Sequence, residues 1–268
     1  MNADAFSRSP ANREVFSRTS PQGSDPGPEE FVSDWTEIWG NRLGSAWAFQ
    51  DTARTTPATA IGNPIGSATG WLNGIHLEQG TAGARPLVAA GLQGFRAWQL
   101  DGVNDYLRSQ ISSTINSVGG GWFGYIVVKT MGTSGRLFTA MDSDVIGNDY
   151  DKQNGFNVSW IGGGNMRMER LLGSAIASPT PATNAYVAFE VDDNAGNFTV
   201  YAAGTSATTV AAKGGFAPDR VFVGAGVSGG VTFYDNQVGV EVGILNRTPT
   251  ASERSRVISW IRSFWGVS

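Results

Sequence analysis

The chain has 268 residues, 41% of them hydrophobic and only 16% charged, with 36 glycines, nine Trp and fourteen Phe. Glycine at roughly twice its usual share and a low charged fraction predict many short strands joined by tight turns, and exclude a coiled coil or a wholly disordered chain. A net charge of −4 without any block of Lys and Arg argues against a nucleic-acid partner held through its phosphates.

There is no cysteine and one histidine, His76, so disulfides, thiolate zinc sites, cysteine nucleophiles and any mechanism needing two imidazoles of one chain are excluded. No run reaches the roughly 18 apolar residues of a membrane span. The opening MNADAFSRSP lacks the layout of a signal peptide.

Residues 1–34 are read as an extended arm. They carry Pro10, Pro21, Pro26 and Pro28 without apolar periodicity. Phe6-Ser7-Arg8 is echoed ten residues later by Phe16-Ser17-Arg18, which makes Phe6, Arg8, Phe16 and Arg18 candidate contacts to a partner protein. A short helix is expected next, capped by Ser33 or Asp34, with Trp35, Ile38 and Trp39 on one face. Residues 44–95 read as a long irregular stretch punctuated by Gly and Pro. From about residue 96 the pattern turns to strands: FRAWQL, GWFGYIVVKT, RLFTAM, GFNVSWIG, NMRMERLL, AYVAFEVDD, NFTVYAAG, RVFVGAG, VTFYDN and VGVEVGIL. Alternation in Phe198–Tyr201 and in Val238–Val242 predicts strands with one buried face.

The last segment changes period. Thr250 and Glu253 form a capping box, and Val257, Ile258, Ile261, Phe264 and Trp265 fall at helical spacing before Gly266. The expected fold class is all-β: a two-sheet antiparallel jelly-roll sandwich over residues 35–268, with the N-terminal arm and a C-terminal amphipathic helix packed on it.

Several motifs resemble a known family. QDTARTTPATAIGNPIG, with Thr55-Thr56-Pro57, is followed by Gly74-Ile75-His76, Gln79 and Arg85-Pro86, then by Leu100-Asp101-Gly102-Val103-Asn104-Asp105-Tyr106. VDDNAGNFTVYAAG and GVEVGILNRTPTASERSRVISWIRSFWGV follow at the far end. Together they resemble the concanavalin A-like (laminin G-like) jelly-roll domains of bacteriophage and prophage structural proteins, over about residues 47–267. The resemblance implies a virion structural protein of a tailed phage: a capsid decoration, head-spike or tail-associated component that acts by binding and is not an enzyme. It would be made in the host cytoplasm, attached through its arm to capsid, portal-proximal or tail proteins, and assembled as a homo-oligomer. The alternatives are a soluble carbohydrate-binding module or host-glycan adhesin and, more weakly, a glycoside hydrolase.

The hydrolase alternative needs carboxylates about 5 Å apart on alternating positions of one strand, in a Glu-x-Asp-x-x-Glu pattern. Glu190-Val191-Asp192 begins that pattern, but Ala195 stands where the second Glu belongs, and Asp193-Asn194 with Gly196 reads as a turn. Gly226-Val227-Ser228-Gly229-Gly230 matches Gly-x-Ser-x-Gly, yet a strand follows where a nucleophile elbow needs a helix. No catalytic residue is assigned, and His76 is read as structural. Asp142, Asp144, Asp149 and Asp151 form an oxygen-rich loop and a weak candidate calcium site, while no cofactor is otherwise expected. Asp101, Asn104 and Asp105 are read as hydrogen-bonding their own turn. Glycan binding needs an exposed aromatic platform, for which Trp71, Trp122, Tyr150 and Trp160, near loops, are the candidates.

Overall fold

A computed structural model describes residues 47–50, 60–70, 75–112, 115–132, 135–142, 155–170, 173–178, 181–210, 215–228 and 231–268. The arm with Phe6, Arg8, Phe16 and Arg18, and the expected helix at 35–39, lie outside the described residues.

Most strands coincide with the apolar runs of the sequence: β5 (Arg96–Gln99), β7 (Gly121–Thr130), β8 (Gly135–Met141), β9 (Phe156–Trp160), β10 (Met166–Arg170), β12 (Thr183–Asp192), β13 (Asn197–Ala202), β15 (Arg220–Val223), β16 (Ala225–Ser228), β17 (Val231–Tyr234) and β18 (Val238–Leu245). The stretch expected to be irregular instead holds β1 (Trp47–Gln50), β2 (Ser67–Gly70), β3 (Leu77–Glu78) and β4 (Leu87–Ala90). β6 (Leu107–Ser109), β11 (Gly173–Ala177) and β14 (Thr205–Val210) were equally hidden. These segments are short or polar. They become strands because antiparallel partners, several of them just as short, supply their backbone hydrogen bonds, a tertiary effect that outweighs local propensity.

The strands form two antiparallel sheets. Nine strands run in the order β1-β2-β3-β6-β15-β8-β9-β10-β11, and seven in the order β14-β13-β12-β7-β18-β5-β4. β16 and β17 form a separate hairpin. Between the sheets lies a cluster of rings: Phe138 and Phe189 are 4.8 Å apart at their centroids, and Trp122 meets Phe156 at 5.4 Å. The Trp122 indole N–H donates to the Ile115 carbonyl at 3.0 Å, which satisfies its one polar atom in the core.

Helix α1 (Ala251–Trp265) packs on the outer face of the seven-stranded sheet. It starts at the expected capping box, with Thr250 and Glu253 exchanging side-chain-to-backbone bonds, and ends at Gly266 in the left-handed conformation. Its buried stripe is Val257, Trp260, Ile261 and Trp265, set against Phe123, Tyr125, Tyr186 and Leu245. The helix therefore buries the second face of this sheet. That is why β18 does not show the one-sided burial expected of it: Gly239 through Leu245 are all buried. β13, nearer the sheet edge, keeps the expected alternation. No helix among the described residues is long and apolar enough to cross a membrane.

Several glycines work inside strands. A Cβ at Gly239 would lie 2.2 Å from the Trp98 indole, at Gly243 2.3 Å from the Tyr125 ring, and at Gly124 2.4 Å from the Phe189 ring. Part of the high glycine content thus makes room for rings that lie flat on the sheets.

Candidate ligand-binding face

The helix covers the outside of one sheet, which leaves the outside of the nine-stranded sheet as the other broad surface. Cross-strand register lines up one residue from each of six strands on that face: Glu78, Arg108, Phe222, Thr139, Asn157 and Glu169. Their sequence neighbours Leu77, Leu107, Val221, Phe138, Val158 and Met168 point into the core, as the period of two requires. A second row runs beside it through Arg136, Ser159 and Arg167.

The two ends of the face differ in chemistry. At one end Glu169 Oε2 receives Arg136 at 3.4 Å, Arg167 at 3.2 Å and the Asn157 amide at 3.4 Å. Asn157 also donates to Ser159, and Thr139 donates to the Ala225 carbonyl at 2.9 Å. Thr139, Asn157 and Ser159 are buried, with the β16–β17 hairpin crossing above β8 and Gly226 seated over Thr139 and Arg136. This end is a densely connected polar network, in which only the Arg136 and Arg167 Nε atoms, among those named, are buried without a hydrogen bond among the described residues.

The other end carries half-buried aromatic rings. Tyr106 stands 6.0 Å from Phe222 and 6.2 Å from Tyr234, which the hairpin brings in. Arg108 is exposed beside them, and Gln110 donates to Glu78 at 3.0 Å. Burial and the nearby Arg108 both pull the Arg220 guanidinium below its ordinary value. Aromatic faces next to guanidinium, amide and carboxylate groups suit a polyhydroxylated ligand, with rings for its C–H faces and charged groups for its hydroxyls.

The turn that leads into Tyr106 is braced by its own carboxylates. Asp101 Oδ1 accepts from the amides of Val103, Asn104 and Asp105, and Asp105 Oδ2 accepts from the Asp101 amide, the turn role expected of them. Burial, helped by the Asp101 charge, pushes the Asp105 carboxyl up to about 6. Asp235, next to Tyr234, is likewise pushed up to about 6 by burial; its Oδ1 accepts from the Asn236 amide, and its Oδ2 has no hydrogen-bond partner among the described residues.

The expected site residues fare unevenly. Trp122 is fully buried and Trp160 is 6% exposed, so neither is a glycan platform: a sandwich this size uses its largest rings to fill the core. Trp71 and Tyr150 lie outside the described residues, as do Asp144, Asp149 and Asp151; Asp142 is half-buried just beyond the end of β8. No group of three or more His, Asp or Glu among the described residues could hold a metal ion. Ser228 pairs with Val231 across the β16–β17 hairpin, with no helix following. Glu190 and Asp192 lie on the helix side of the other sheet; Glu190 is engaged by Arg254 at 2.7 Å, and Asp192 accepts from the Ala195 amide. Glu78 and Glu169, the carboxylates of the open face, stand five strand spacings apart, about 24 Å. That exceeds any glycosidase pair spacing. Tyr106 and Tyr234 were missed as a pair, because they sit 128 positions apart (234 minus 106) and only the hairpin joins them. The DGVNDYL motif was the one sequence signal near them.

No protein-family model matches the sequence, and neither does any curated protein. Solved structures do match, and they share the fold, a two-sheet antiparallel sandwich. A mutant of Trypanosoma rangeli sialidase with trans-sialidase activity is similar over 84% of this chain and 37% of its own, at 12% identity and a TM-score of 0.52. A GH54 α-L-arabinofuranosidase is similar over 84% of this chain and 60% of its own, at 13% identity and a TM-score of 0.54. The binding domain of Paraclostridial Mosquitocidal Protein 1 is similar over 84% and 52%, at 16% identity and a TM-score of 0.51. The chain thus spans less than two thirds of each of these proteins, and at such identities the likeness is one of fold. It overturns the expectation that the chain is not an enzyme, since the fold is one it shares with a sialidase and an arabinofuranosidase.

Proposed function

We propose that this domain binds carbohydrate, and that it does so on the outer face of the nine-stranded sheet at Tyr106 and Tyr234. The observation that carries the reading is the pairing of two half-buried tyrosines 6.2 Å apart, with exposed Arg108 and the Glu78–Gln110 pair beside them. The fold likeness supports it, because two of the similar structures are named for enzymes that cleave sugars and a third for binding.

A glycan array probed with the full chain, followed by titration of the strongest hit, tests the proposal. Tyr106→Ala and Tyr234→Ala are each expected to weaken binding about tenfold or more, as loss of a central aromatic anchor does. Binding that ignores both substitutions, or no binding across the array, would overturn it.

A finer reading places this domain on a phage particle, attached through residues 1–34 to capsid or tail proteins and assembled as a homo-oligomer. The sequence resemblance over residues 47–267 supports it. Its test is incorporation: a chain lacking residues 1–30 should still fold but be missing from purified particles, and normal incorporation would sink the reading.

A further inference from the structure

On the opposite side of the sandwich, α1 and the edge of the seven-stranded sheet enclose a cleft of about 270 Å³. Ser255, Ser259 and Arg262 recur at four- and three-residue spacing and line one wall from the helix, beside the stripe that packs on the sheet. Tyr186 of β12, Tyr201 of β13 and Thr205 of β14 form the floor and the other wall. The volume lies just below that of ordinary small-molecule pockets, which leaves room for one ring and little more.

The charges around the cleft are unequally matched. Glu190 takes Arg254 in a two-pronged contact, and Arg254 in turn lies 5.5 Å above the Tyr201 ring. Glu253 takes Arg247. Arg262, exposed at the cleft, has no carboxylate partner among the described residues. The field at Tyr186 reflects this, since Arg262 draws the phenol down against the stronger upward push of burial. Gly204, in the turn between β13 and β14, lines the cleft beside the Tyr186 phenol.

We propose that this cleft is a second ligand site, and that it takes a monosaccharide bearing a carboxylate. The planar Arg262 fork matches a carboxylate in two parallel hydrogen bonds. The phenols of Tyr186 and Tyr201 and the hydroxyls of Ser255, Ser259 and Thr205 match a ring of alcohols. A simple anion would use only the guanidinium, and a neutral sugar only the hydroxyl lining. The site lies across the sandwich from Tyr106 and Tyr234 and stands or falls independently of binding there.

The test is titration of the ¹⁵N-labelled full chain with sodium glucuronate, methyl glucoside and sodium acetate in parallel. Glucuronate is expected to shift amides at 204–206 and 255–262 saturably, with an affinity at least about tenfold above either of the others. Arg262→Ala, which places the best helix former on an exposed helix position, should remove that advantage, and Arg262→Lys should restore only part of it. Thermal melts of both variants establish that they are folded. The proposal is overturned if glucuronate causes no saturable shifts at these amides, if acetate or methyl glucoside binds as tightly, or if a folded Arg262→Ala binds glucuronate as before.

Discussion

Arg170 and Asp193 form an ion pair that joins the two sheets, with the Arg170 side chain fully buried and Asp193 only 8% exposed. Arg170 ends β10 in one sheet, and Asp193 begins the turn after β12 in the other. The pair is well supported: Asp193 Oδ2 also accepts the Phe216 amide at 3.3 Å, and the guanidinium lies 5.1 Å over the Phe216 ring. A lone buried charge is far more costly than a missing pair. Arg170→Ala, which strands the Asp193 carboxylate, is expected to cost about 3–5 kcal/mol in urea unfolding. Arg170→Met together with Asp193→Asn should cost much less, and equal losses for the two variants would disprove this account of the pair.

The intrastrand glycines give a second expectation. Gly239→Ala and Gly243→Ala force a methyl group against Trp98 and Tyr125, and should each cost about 1–3 kcal/mol. Gly80→Ala, where no atom stands within 4 Å of the new carbon, should stay within about 0.5 kcal/mol of the parent. Thermal melts of the three variants side by side decide it.

Asp235 and Asp105 set a pH dependence whose sign is opposite to that of most carboxylates. Both are raised to about 6 from 3.8, so between these values the folded chain holds protons that the unfolded chain has released. Their contribution to stability is fully present below about pH 4 and is lost as pH rises through about 6. For Asp235, which is 1% exposed, the change is about 2–3 kcal/mol. Asp235→Asn should flatten the fall in denaturant midpoint between pH 4 and 7; an unchanged slope would show that another group titrates.

Glu253 acts in the other direction. The Arg247 guanidinium, in contact at 2.6 Å, and the bonds to Thr250 outweigh its burial and hold its carboxyl down at about 2, below the unfolded 4.5. Its contribution is complete above about pH 4.5 and disappears as pH falls towards 2. Glu253→Gln should therefore lose stability at neutral pH and lose less than the parent on acidification. Thr250→Ala, which removes the other half of the capping box, should cost about 1 kcal/mol in a thermal melt at neutral pH.

The sequence by itself determined the all-β class, the long strands, the turn at Asp193–Gly196 and the terminal helix with both its ends. Those features depend on neighbouring residues: apolar runs of strand length, a capping box three positions wide, a glycine free to adopt a left-handed backbone. Only the tertiary structure decided that Leu77-Glu78 and Ser67–Gly70 are strands, because partners from distant parts of the chain supply their hydrogen bonds. It likewise decided that Trp122 fills the core while Tyr106 and Tyr234 face outward together, since an aromatic residue near a loop reads the same in sequence whichever way it points. The row from Glu78 to Glu169 and the cleft at Arg262 have the same origin. Sheet register and helix docking bring together side chains that the sequence keeps far apart, and no local pattern encodes that distance.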